Sequence, residues 1–254
     1  MKKISLIFLS LIMLISVTAC SSTPETKEIE YEKIEILETD SDMIKAAKEV
    51  QNNLNKYEAL NDIYLFNKSA DPEGIETTET IIKDDGKELY SASDMDFVGL
   101  STPDGNFIFT YDYEIFEADT ELPNFTAGVY EQYRKMLNWT IENEDKFKYQ
   151  KIVDDNLSIN YVIWSEDCHF IKEVFKRDFG EIDYLDLIDG RYEFVYSFNA
   201  TGDLEQITLL AINESETLTV ESLTYFSTNI KEAYDSLGTD VQNIWKMVED
   251  SKKN

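Results

Sequence analysis

Histidine, cysteine and basic residues are scarce in this chain, and each scarcity closes off a chemistry. His169 is the only histidine, and Cys20 and Cys168 are the only cysteines. A Ser-His-Asp triad would have to use His169, and no G-x-S-x-G elbow supplies its serine. Cys/His zinc spacings, glycine-rich phosphate loops and dinucleotide fingerprints are absent. Lys and Arg number 23 against 51 Asp and Glu, a formal net charge of −28. Such a field repels phosphate backbones and anionic lipid heads, so nucleic acid is not an expected partner. Beyond the first apolar run there is no second one long enough to span a bilayer.

What is present begins with MKKISLIFLSLIMLISVTAC. Lys2 and Lys3 precede an apolar stretch from Ile4 to Val17, and Ala19 stands just before Cys20. This is the layout of an export signal. The run is shorter than the ~20 apolar residues of a spanning helix. An ordinary cut after Ala19 would leave Cys20 as an unexplained thiol at the new terminus. Val17-Thr18-Ala19-Cys20 resembles the lipobox of bacterial lipoproteins. The resemblance implies cleavage before Cys20, a diacylglycerol on its thiol, and attachment to the extracytoplasmic face of a membrane. Two acyl chains anchor stably where one does so only marginally. Residues 1–19 are then a cleaved signal, 20–40 the lipidated cysteine with a flexible tether, and 41–254 a single domain. About 235 residues remain after cleavage, with a net charge near −30 once Lys2 and Lys3 are gone.

Hydrophobic residues at 43% and aromatics at 13% predict a packed core. Residues 29–38, with Ile29, Tyr31, Ile34, Ile36 and Leu37, read as a short edge strand. Asp40 or Ser41 caps a helix whose apolar stripe is Met43, Ala47, Val50, Leu54 and Tyr57. A meander of strands follows, with turns at Asp84-Asp85-Gly86 and Thr102-Pro103-Asp104-Gly105. Phe107, Phe109, Tyr111, Tyr113 and Ile115 alternate as one strand. Thr126 caps a central helix holding Val129, Tyr133, Met136, Leu137 and Trp139. Strands resume at 146–152, 157–164, 168–175, 191–198, 204–212 and 218–223. An amphipathic C-terminal helix starts near Ile230, with Gly238 interrupting it. The predicted fold class is α+β: a curled, half-barrel-like antiparallel sheet with amphipathic helices packed on one face.

Cys168 and His169 are adjacent, and on a strand adjacent side chains point to opposite faces, which argues against a shared catalytic site. Asp183-x-x-Asp186-x-x-Asp189-Gly190 lacks the alternate acids, sixth glycine and twelfth glutamate of a calcium loop. No metal site, no cofactor and no enzymatic activity are expected. The remaining candidates are apolar strand residues. Phe107, Phe109, Tyr111, Tyr161, Ile163, Phe194 and Tyr196, with Ile207 and Leu209, either line a ligand cleft or lie beneath the helices as core.

The layout of export signal, N-terminal helix, long antiparallel strands, central helical insert and Phe194–Leu210 hairpin is similar to the LolA/LppX-like lipoprotein carriers. That resemblance implies a half-open barrel, plugged by helices and binding acyl chains. The chain departs from it in its acidity and its C-terminal helix. The functional expectation is a membrane-anchored, non-enzymatic lipoprotein holding an apolar or amphiphilic ligand in a sheet–helix cleft. The alternative is an acidic surface or structural lipoprotein that meets a basic protein or cations.

Overall fold

A computed structural model describes residues 30–70, 74–85, 87–92, 97–102, 105–110, 115–117, 124–180, 190–213 and 218–237. Tyr31–Asn254 form one compact unit. Within it, the described strands make a single antiparallel sheet of eleven: β1 (Ile63–Ala70), β2 (Glu76–Asp84), β3 (Lys87–Ala92), β4 (Phe97–Thr102), β5 (Gly105–Thr110), β6 (Ile115–Glu117), β7 (Lys148–Val153), β8 (Ile159–Ser165), β9 (Gly190–Phe198), β10 (Leu204–Asn213) and β11 (Leu218–Ser227). Their order is β6-β5-β4-β3-β2-β1-β11-β10-β9-β8-β7. The sheet is open, since β6 and β7 stand at opposite edges. Two meanders step outward from the central β1–β11 pair, one in each direction. This is the α+β, curled antiparallel architecture read from the sequence.

The connection from β6 to β7 must cross from one edge to the other, and it carries α2 (Phe125–Glu142). That helix packs on α1 (Asp42–Glu58) and reaches β2 and β3, while α1 reaches β7 and β10. α3 (Cys168–Phe179), inserted between β8 and β9, packs on β9. These helices bury their apolar stripes against one sheet face. Ala47, Val50 and Leu54 of α1 meet Tyr161, Ile163, Phe194, Tyr196 and Ile207 in one core. Each large side chain so buried contributes on the order of 2 kcal/mol. α4 (Ile230–Leu237) lies against β1 and β2 on the other face. There Tyr64, Ile82 and Leu89 are buried, and the Tyr234 hydroxyl donates to Asp84 Oδ2 at 2.9 Å.

Local chemistry corrects several sequence readings. Ser41, in extended conformation, caps α1 by accepting from the Ile44 N–H. The central helix is capped by Asn124, which accepts from Ala127 N at 2.8 Å; Thr126 turns its hydroxyl to Glu88 instead. Residues 31–37 form no strand. Asn52 of α1 accepts from Ile34 N at 2.7 Å and donates to Ile34 O at 3.0 Å, so a side-chain amide takes the place of a strand neighbour.

The expected strand 168–175 is α3. Asp167 caps it by accepting from Phe170 N at 3.0 Å, and Ile171, Val174 and Phe175 share its buried stripe. Aromatic and β-branched content suggested a strand, but the cap and the 3–4 spacing decided the outcome. The Phe107–Ile115 strand is in fact a hairpin: Phe109 pairs with Ile115 and Phe107 with Glu117. Alternation carries no mark of a chain reversal.

Candidate functional site

The register defines which residues share the helix-covered face. One row runs Tyr161, Tyr196, Ile207, Thr224, Asn67, Glu79, Ala92 across successive partners. The next runs Ile163, Phe194, Leu209, Ser222, Ser69, Thr77. On β8, β9 and β10 these positions are aromatic or aliphatic; on β11, β1 and β2 they are polar. The neighbouring row through Phe226, Leu65, Ile81 and Tyr90 is apolar and buried. The face is therefore divided into an apolar wall and a polar quarter.

Four of the candidate ligand residues belong to that wall. Tyr161, Ile163, Phe194 and Tyr196 are at most 5% exposed, packed beneath the helices. Register sets Phe107 and Phe109 apart from them. These two line up through Leu100 and Val98 with Leu89 and Ser91, positions belonging to the opposite face. Tyr111 and Cys20 lie outside the described residues, as do Asp183, Asp186 and Asp189.

Sequence reasoning missed the polar quarter. Asn67 donates its amide to Glu79 Oε2 at 2.8 Å, and the Tyr90 hydroxyl donates to Glu79 Oε1 at 2.8 Å. Thr224 Oγ1 donates to Asn67 Oδ1 at 3.2 Å, and the Tyr133 hydroxyl of α2 meets Thr224 Oγ1. Five side chains from four strands and a helix thus form one hydrogen-bonded chain. Burial pushes the Tyr133 phenol up to about 12, partly offset by its bond to Thr224, with the Glu79 carboxylate adding to the rise. Thr224 is 1% exposed and Tyr133 5%. Asn67, Glu79, Ser69, Thr77, Ser222 and Leu209 are only half-buried, so the quarter opens beyond the helices. Its signal was present in the sequence: same-face positions switch from Ile63 and Leu65 to Asn67 and Ser69, and from Thr77 and Glu79 to Ile81.

The arrangement offers hydroxyls, an amide and an oriented carboxylate beside an apolar wall. It offers no nucleophile with an adjacent base. His169 on α3 is 85% exposed and sits 3.3 Å from Glu173. Cys168 Sγ accepts from Gly190 N at 3.0 Å and donates to Gly190 O, tying α3 to the start of β9. A helix rather than a strand sets the two apart. A Cβ at Gly190 would collide with the Ile212 carbonyl oxygen, so only glycine fits that approach. Among the described residues, no three or more His, Cys, Asp or Glu are grouped to hold a metal ion. No described helix is long and apolar enough to cross a membrane.

A second concavity lies between residues 31–34, α1 and α2. It measures about 580 Å3 and is lined among others by Tyr31, Gln51, Asn55, Glu58, Arg134 and Asn138.

No family model matches the chain, and the search of curated proteins returns no match. Among solved structures it is similar to an uncharacterized conserved protein from Thermus thermophilus, at 7% identity and TM-score 0.34, covering 72% of this chain and 86% of that one. It is also similar to a chain of the Pseudomonas aeruginosa MucA/MucB complex, at 12% identity and TM-score 0.35, covering 72% of this chain and 57% of that one.

Proposed function

We propose that the protein is a lipid-anchored, extracytoplasmic and non-enzymatic binding protein that holds an amphiphilic ligand on the divided sheet face. Cys20, in its Val17-Thr18-Ala19-Cys20 setting, is the anchor. A LolA/LppX-like half-barrel is the fold family this reading draws on. One observation carries it: the half-buried polar quarter of Asn67, Glu79, Ser69, Thr77 and Ser222 adjoins Leu209 and the aromatic wall. An amphiphile would lay its chain toward Leu209 and its head on the hydroxyls and amide. Polar groups that fix orientation beside an apolar surface are the usual make-up of a small-molecule site. The carboxylate of Glu79, in a chain of net charge −28, disfavours an anionic head.

The test is a fluorescence titration of the mature chain carrying Cys20→Ser with the neutral probe N-dodecyl dansylamide. Saturable one-to-one binding is expected, and Ser222→Trp, which fills the quarter, abolishes it. A probe that does not saturate, or that binds the Trp variant equally well, refutes the proposal.

A further inference from the structure

The cavity between residues 31–34, α1 and α2 shares none of its lining with the sheet face, and its chemistry differs. Its wall along residues 31–34 is held in place by side-chain amides: Asn52 clasps Ile34, and Asn55 Nδ2 donates to Glu32 O at 2.8 Å. Arg134 is fixed from α2 by Asn55 Oδ1, at 2.9 and 3.2 Å, and by the Glu58 carboxylate. Those bonds use its Nε and Nη2, and among the described residues its Nη1 has no partner. Gln51, 6% exposed, donates Nε2 to Asn138 Oδ1 at 2.9 Å. That leaves the Gln51 Oε1 acceptor and the Asn138 Nδ2 donor without partners among the described residues. Gln51 Oε1 is not one of the buried side-chain atoms left without a partner, so it is open to the cavity, where a ligand hydroxyl can donate to it.

The lining therefore offers both donors and acceptors, with Tyr31 beside them. The Arg134 charge is matched by Glu58, so the cavity carries no spare cation for an anionic ligand, and the chain's −28 repels anions further. Glu32 lines the cavity as well as Glu58, so a simple cation is the competing occupant, and the Arg134 guanidinium disfavours it. What fits is an uncharged molecule carrying closely spaced groups that both donate and accept. About 580 Å3 falls inside the ~300–1,000 Å3 typical of ligand sites.

We propose that this cavity binds a neutral carbohydrate of about disaccharide size. The proposal is independent of the amphiphile site, because the two share no residue. Tyr31–Asn254 form a compact unit, so the mature chain with Cys20→Ser is a sound test material. Maltose, cellobiose and N,N′-diacetylchitobiose are titrated by calorimetry and saturation-transfer NMR, with glycylglycine and inorganic phosphate as comparators. Saturable one-to-one binding of at least one disaccharide is expected, weakened about tenfold or more by Asn138→Ala and by Arg134→Met. Asn138 is exposed on the helix surface. Its variant therefore decides the matter even if Arg134→Met does not fold. The proposal is overturned if no disaccharide saturates below ~10 mM, if glycylglycine or phosphate binds more tightly than every disaccharide, or if Asn138→Ala binds like the parent.

Discussion

The Tyr90 hydroxyl on β3 donates to Glu79 Oε1 on β2 at 2.8 Å, although the two are not opposite each other in the ladder. Glu79 stands opposite Ala92 and Tyr90 opposite Ile81, so the contact is a diagonal one. A diagonal neighbour lies within reach of an aromatic side chain. Because Asn67 holds the other carboxylate oxygen, Glu79 is pointed by two donors from two strands. Tyr90→Phe removes one of them. A bond to a charged acceptor at a half-buried site is worth about 1 kcal/mol after allowance for solvent. The expected result is a lower urea midpoint with an unchanged slope.

Phe194 separates core from site. It is 1% exposed, lies on the apolar wall and packs near Phe147 at 6.4 Å between ring centroids. Phe194→Ala should cost about 3–5 kcal/mol of stability by creating a cavity. Urea unfolding of that variant checks the number. A loss below about 1 kcal/mol would mean that the wall is not close-packed there.

Much of the sheet was legible because strands write themselves in period two. Ile159–Ser165 and Gly190–Phe198 alternate cleanly, and their inward sets are the ones that the register confirms as one face. The turn that begins after β2 was legible for a different reason, its Asp-Asp-Gly chemistry, and Asp85 has a φ of 46°, while Gly86 lies outside the described residues. α3 was not legible, because Phe170, Ile171, Val174 and Phe175 suit either element, and the Asp167 cap with the 3–4 spacing of the buried set is what distinguishes them. The polar quarter escaped for a tertiary reason. Asn67, Glu79 and Thr224 are far apart in sequence, and only the β1–β11 pairing that joins the two meanders brings them side by side. Single strands also gave no hint that Phe107 and Phe109 sit on the other face, since that follows from the ladder between them and β3.

Asp178 sets an acid-sensitive tie between α2 and α3. The Arg177 guanidinium, and then the Trp139 indole N–H at 2.5 Å, hold its carboxyl down to about 2 from an ordinary 3.8. A carboxylate whose folded value lies below its unfolded one stabilises fully above pH ~4, and that contribution fades as pH falls toward 2. Arg177 is 59% exposed, so solvent screening reduces the effect to about 1 kcal/mol. Urea midpoints measured at pH 5 and pH 3 should fall less for Asp178→Asn than for the parent. Equal falls would remove Asp178 from the acid limb.

Cys20→Ser is expected to move the protein from the membrane fraction to the soluble extracytoplasmic fraction. Under the proposed function a diacylglyceryl group on Cys20 would supply the attachment, at about 0.8 kcal/mol per buried methylene. Fractionation that is unchanged by the substitution would refute lipidation at this residue.

The amphiphile site is tested most directly by amide chemical-shift mapping of the mature Cys20→Ser chain titrated with N-dodecyl dansylamide. Saturable shifts are expected at Asn67–Ser69, Thr77–Glu79, Leu209 and Ser222–Thr224, the residues that meet where the polar quarter joins the apolar wall. Shifts confined to other surfaces, or none at saturating probe, would contradict binding on this face.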